Sequence, residues 1–213
     1  ERLFRVEPSG AVVNEPDPTA GQLVCTAAAG SADLTAIQKR AYQSVLVMRL
    51  MNFSQPLPWT NLQLYDWFVS TIDGIRFRDD VEFSHCCDPT SVINIQVREN
   101  SYLAITDRFL DPNFGGGLVF TTVLYVHEAR HNAGLGHTCP DGADDKTMAE
   151  MGAWAVQYYI QTWLAQYADR AFIQAPGLDP DAYRRVLLDE ANYVRNNRFC
   201  EEPLLDPLPT LIP

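Results

Sequence analysis

The chain has 213 residues, 46% hydrophobic and 11% aromatic, enough to bury one sizeable core. Its net charge of -11 excludes a polyanion as main partner, because nucleic acid or an anionic membrane surface requires a basic patch. No apolar run approaches the roughly 20 residues of a membrane span, and the first residues lack the basic-then-apolar layout of a signal peptide.

Residues 1–30 are rich in Pro and Gly and read as a loop-rich arm with one short strand near residues 3–6. Leu34, Ile37, Ala41, Val45 and Met48 then recur at three- and four-residue steps, which predicts an amphipathic helix over 31–51 ended by Pro56 and Pro58. Thr60 with Gln63 fits a capping box, and the stripe Leu62, Tyr65, Phe68, Val69 and Ile72 predicts a second helix closed by Gly74. The period next switches to two. Strands are predicted over 75–83, 92–97 and 102–106, forming a small, mostly antiparallel or mixed sheet.

A flexible Gly115-Gly116-Gly117 connection leads into a buried helix beginning near Leu118. Residues 148–168, apolar over nearly the whole circumference, predict a long central helix. Asp179 as N-cap and Pro180 at the first helical position open a last helix to about Arg198, followed by a Pro-rich tail over 201–213. Arg184, Arg185, Arg195 and Arg198 on that helix read as a solvated face. The organisation expected is one catalytic domain over 31–200, with an upper lobe to about 134 and a lower lobe from about 135.

Three of the four histidines fall within eleven residues, His127 to His137. A four-residue step turns a helix by about 400°, so His127 and His131 project from one face, one turn apart. Glu128 lies beside that face, placed to reach a water without becoming a ligand. Gly134 permits the positive φ that turns the chain so that His137 supplies a third nitrogen. Three neutral imidazoles leave a fourth position of a tetrahedral Zn²⁺ to water, the mark of a catalytic site with Glu128 as general base.

This run, with Gly134 between the histidines, resembles the zinc signature of the metzincin clan of metallopeptidases. The resemblance implies an α+β, two-lobed zinc peptidase: a sheet and helices above an active-site helix, a mostly helical lower lobe, and a methionine turn beneath the metal. Met148 is the preferred methionine, with Met151 the alternative. Glu150 and Ala153 stand two residues after them, so no extra tyrosine ligand is expected. The chain departs from the clan in placing two predicted helices ahead of the sheet.

The activity expected is endopeptidase cleavage of a protein or peptide laid in extended form along strand 92–97 or 102–106. Hydrolysis of a non-peptide amide and a silent zinc-containing binding or toxin module are the alternatives. Five cysteines point to a secreted or periplasmic setting. The expected bonds are Cys139 to Cys86 or Cys87, and Cys25 to Cys200; a set of five reduced thiols is the cytoplasmic alternative. His85-Cys86-Cys87 is not expected to form a second metal cluster, because adjacent side chains converge poorly on one ion.

Overall fold

In a computed structural model, the structure describes residues 5–7, 44–45, 48–49, 51, 53–78, 81–87, 91–96, 116–166 and 180–203. The expectations for strand 102–106, the start of the arm, Gly115 and the tail beyond 203 lie outside these residues. Among the described residues, four helices with defined bounds and a small sheet give an α+β fold. In chain order these are β1 (Arg5–Glu7), α1 (Leu64–Thr71), β2 (Gly74–Arg78), β3 (Val92–Gln96), α2 (Gly116–His131), α3 (Ala153–Gln166) and α4 (Pro180–Asn197).

The sheet corrects the expected antiparallel pairing. Its order is β1-β2-β3 and both pairings are parallel, with Ile75 opposite Ile93 and Phe77 opposite Ile95. Apolar and polar side chains alternate along β2 and β3. Yet Arg76, Asn94 and Gln96 are buried along with the isoleucines, so both faces of β2 and β3 are covered, as in sheets built from parallel crossovers. The strand predicted over 75–83 stops at Arg78, and the chain returns antiparallel at His85, which exchanges backbone hydrogen bonds with Asn94. Ser84 Oγ accepts from the Gln96 N–H. These contacts occupy the outer side of β3 at Asn94 and Gln96, so that edge is taken by the chain itself and an extended substrate does not have it free.

Helix α1 is shorter than predicted because the capping box does not form. Gln63 is the N-cap, but its side-chain oxygen accepts from the Phe53 N–H instead of the helix, and Thr60 Oγ1 accepts from Leu62 N–H outside it. Ile72 is already extended and Gly74 opens β2 instead of closing the helix. Within the predicted helix 31–51, the described residues 44, 45, 48 and 49 are helical, and Val45, Met48 and Met51 are buried. Thr122 Oγ1 of α2 donates to Ser44 O, fastening this segment to α2.

The long helix expected over 148–168 is broken. Met148–Glu150 forms a single 3-10 turn, Met151 takes a left-handed conformation (φ 51°), and α3 starts at Ala153. The cause lies at Gly152, where a Cβ would stand 2.5 Å from Asp145 Oδ2, so the backbone must approach that carboxylate closely. Helix α4 follows the expected limits, but its arginines form a solvated face only in part, Arg185 being exposed. Arg184 and Arg195 are buried where α4 packs along α3, and Tyr158 of α3 hydrogen-bonds Arg195.

One buried cluster runs from Ile75, Phe77, Ile93 and Ile95 through Val123, Tyr125 and Val126 of α2 to Val156, Ile160 and Leu164 of α3. A smaller one, Ala155, Tyr158, Ala191, Val194 and Phe199, joins α3 to α4. Helix α2 is therefore packed by the sheet and by α3, and its His127, Glu128 and Ala129 are buried at its last turns. No helix among the described residues is long and apolar enough to cross a membrane.

Candidate metal centre

Helix α2 ends where the sequence places its stop. Gly134 N–H donates to His131 O, and Gly134 sits at φ 76°, the left-handed value that a glycine adopts without Cβ strain. Asn132 Nδ2 clamps this end by donating to Thr71 O at the close of α1 and to Ser91 Oγ ahead of β3. The chain then turns back and carries His137 to the other two imidazoles. Ring centroids lie 5.3 Å apart for His127 and His131, 5.6 Å for His127 and His137, and 4.8 Å for His131 and His137. One ligating atom from each histidine lies within 4.8 Å of those of the other two, so the three could hold a metal ion.

Each imidazole is oriented from behind by an oxygen. His127 Nδ1 lies 3.0 Å from Gln157 Oε1, His131 Nδ1 2.6 Å from Leu135 O, and His137 Nδ1 2.9 Å from Asp145 Oδ1. An oxygen acceptor at Nδ1 places the proton there and leaves Nε2 of the same ring as the lone-pair donor. Three rings presenting Nε2 are what a cation of borderline softness takes from imidazole.

The loop that delivers His137 is stitched internally and to the end of α4. Thr138 and Cys139 N–H both donate to Asp144 O, and Asp141 Oδ1 accepts from Ala143 and Asp144 N–H. Asp145 N–H donates to Arg198 O, Cys200 N–H returns to Asp145 O, and Arg198 Nη1 pairs with Asp144 Oδ1 at 3.2 Å. Met148 N–H donates to Glu202 Oε1.

The covalent brace differs from the expected one. Cys139 is bonded to Cys200, with Cα atoms 6.3 Å apart, and Cys86 is bonded to its neighbour Cys87. The bridge at Asp145 and Phe199 brings Cys200 beside the loop, while the turn after β2 stays with the sheet and does not reach Cys139. Cys25 lies outside the described residues.

Comparison with known proteins adds no relative. No protein-family model, no curated protein and no solved structure matches the chain. The assignment of the centre therefore rests on its own geometry.

His127, His131 and His137 are brought together as the sequence predicts, and Glu128 is buried on the same turn of α2. Met148 and Met151 flank the tight turn before α3 and pack against the α3–α4 cluster. Sequence reasoning missed Gln157, Asp145 and Trp154, whose ring lies 4.4 Å from that of His127. Asp145 was one of three acids in a polar turn, and Gln157 and Trp154 were read as positions on a core helix.

Burial, with the neighbouring His131 and His137 adding to it, holds the His127 imidazole well below its usual pKa, and burial also lowers that of His131. Such groups are neutral when folded and take up protons more readily unfolded, so stability is present above the ordinary value of about 6.5 and is lost as pH falls below it. The metal-free chain is expected to lose up to about 1.4 kcal/mol per pH unit for each such histidine below that value. Denaturant melts between pH 7 and 5 check this: His127→Gln should flatten the fall, and slopes identical to the parent's would contradict it.

Proposed function

We propose that the chain is a zinc-dependent endopeptidase of the metzincin kind, with His127, His131 and His137 as ligands and Glu128 as general base. The observation that carries this reading is the set of three imidazoles, each with Nδ1 held by an oxygen and Nε2 left toward the others. A neutral three-histidine set suits zinc, and it leaves coordination open for substrate and water. When bound, zinc supplies Lewis-acid chemistry, polarising a carbonyl and acidifying water.

The chain supplies the rest. Glu128 follows His127 by about 100° around α2, so its carboxylate is beside the ligand face and not on it. It accepts the proton of the attacking water and passes it to the leaving amine. A purely structural zinc site has no use for a buried carboxylate there, which favours a hydrolase over a silent binding module. Gln157, Leu135 O and Asp145 keep the three rings from rotating. We take Met148, in the tight turn Met148–Glu150 ahead of the left-handed Met151, as the methionine of a methionine turn. Two disulfides among the described residues favour an extracytoplasmic setting.

The test is cleavage of an unfolded protein by the purified chain. Cleavage should stop on chelation and return with zinc; hydrolysis indifferent to chelators would contradict the proposal.

A further inference from the structure

We infer that Trp154 is a positioning residue of the centre, a rigid floor that fixes the imidazoles of His127 and His137 relative to each other. The inference rests on the reading of the three histidines as metal ligands and is independent of which bond the enzyme cleaves. His127 belongs to α2 and His137 to the loop beyond it, so a metal needs something to hold those two elements in register before it arrives. Trp154, at the start of α3, touches both. Its ring meets His127 edge-on at 4.4 Å (71° between planes) and lies nearly parallel to His137 at 5.9 Å (25°). The second distance falls within the roughly 4.5–7 Å range of favourable ring pairs, and the first lies at its short edge.

Trp154 is itself held by three contacts. Its Nε1–H donates to Ala143 O at 2.7 Å, and its backbone N–H donates to Asp145 Oδ2 at 3.2 Å. The other oxygen of that carboxylate takes His137 Nδ1, so one buried Asp145 sets both the histidine and the ring stacked on it. The Arg198 guanidinium lies 4.4 Å from the ring centroid, close enough for a cation–π contact, and is held in turn by Asp144. Trp154 holds the two imidazoles with a side chain that has few rotamers to lose.

The experiment compares zinc affinity, by competition with a chromophoric chelator, in the parent, Trp154→Ala and Trp154→Phe. Trp154→Ala is expected to weaken binding by about 10–100-fold, the usual effect of removing a group that orients metal ligands, and Trp154→Phe to recover most of it. Cobalt(II), which quenches nearby indole emission, gives a second reading from folded protein. The quench should largely vanish in Trp154→Phe and persist in Trp163→Phe, whose indole bonds Pro56 O elsewhere. Parent affinity in Trp154→Ala, or an undiminished quench in Trp154→Phe, overturns the inference and leaves the peptidase reading standing. A parent that binds cobalt and zinc but cleaves no protein overturns the peptidase reading alone, and a parent that binds neither overturns both.

Discussion

Glu128→Gln is expected to keep the zinc, the fold and the substrate affinity while losing at least about a hundredfold in turnover, the usual contribution of a positioned general base. Glutamine fills nearly the same volume, so the buried last turns of α2 should not repack, and its amide cannot accept the proton that a carboxylate takes. The three imidazoles and their Gln157, Leu135 and Asp145 partners are untouched by the change. Zinc content should therefore match the parent's while the rate falls. Turnover at the parent's level would remove Glu128 from the mechanism without disturbing the metal site.

Cutting the Cys139–Cys200 bond is expected to produce the largest loss of stability. It closes a separation of 61 residues, for which the chain-entropy picture gives about 4 kcal/mol. The loss falls on the loop that presents His137 and Asp145, which is otherwise held by backbone hydrogen bonds to Arg198 and Cys200 and by two ion pairs at its flanks. Denaturant unfolding of the Cys139→Ala, Cys200→Ala double variant should show a lower midpoint than the parent, in the metal-free and the zinc-loaded states alike. An unchanged midpoint would mean that the hydrogen bonds alone fix the loop.

What was legible in the sequence was local. The spacing of His127, Glu128, His131, Gly134 and His137 is read within one helix end and one turn, where the geometry of the backbone leaves little choice, and Pro180 opens α4 where its fixed φ favours a first helical position. What depended on chain path was not legible. The parallel register of β1, β2 and β3 is set by crossovers, and the buried Arg76 and Asn94 look from sequence like an outer face. The apolar run from Met148 onward gives no sign that Gly152 must pass against Asp145 and break the helix there. Two of the three groups that orient the imidazoles, Asp145 and Gln157, come from 8 and 30 residues away, and no period links them to their histidines.

The central claim, that three histidines form one metal centre, is tested most directly by elemental analysis of the chain after dialysis against zinc with a weak competing chelator. The parent and the single variants His127→Ala, His131→Ala and His137→Ala are compared at neutral pH, where His127 and His131, both held below the usual imidazole pKa by burial, are neutral and able to ligate. The structure predicts one zinc per chain in the parent and none retained in any of the three variants. A parent free of zinc, or a His137→Ala chain that keeps its full equivalent, would contradict it.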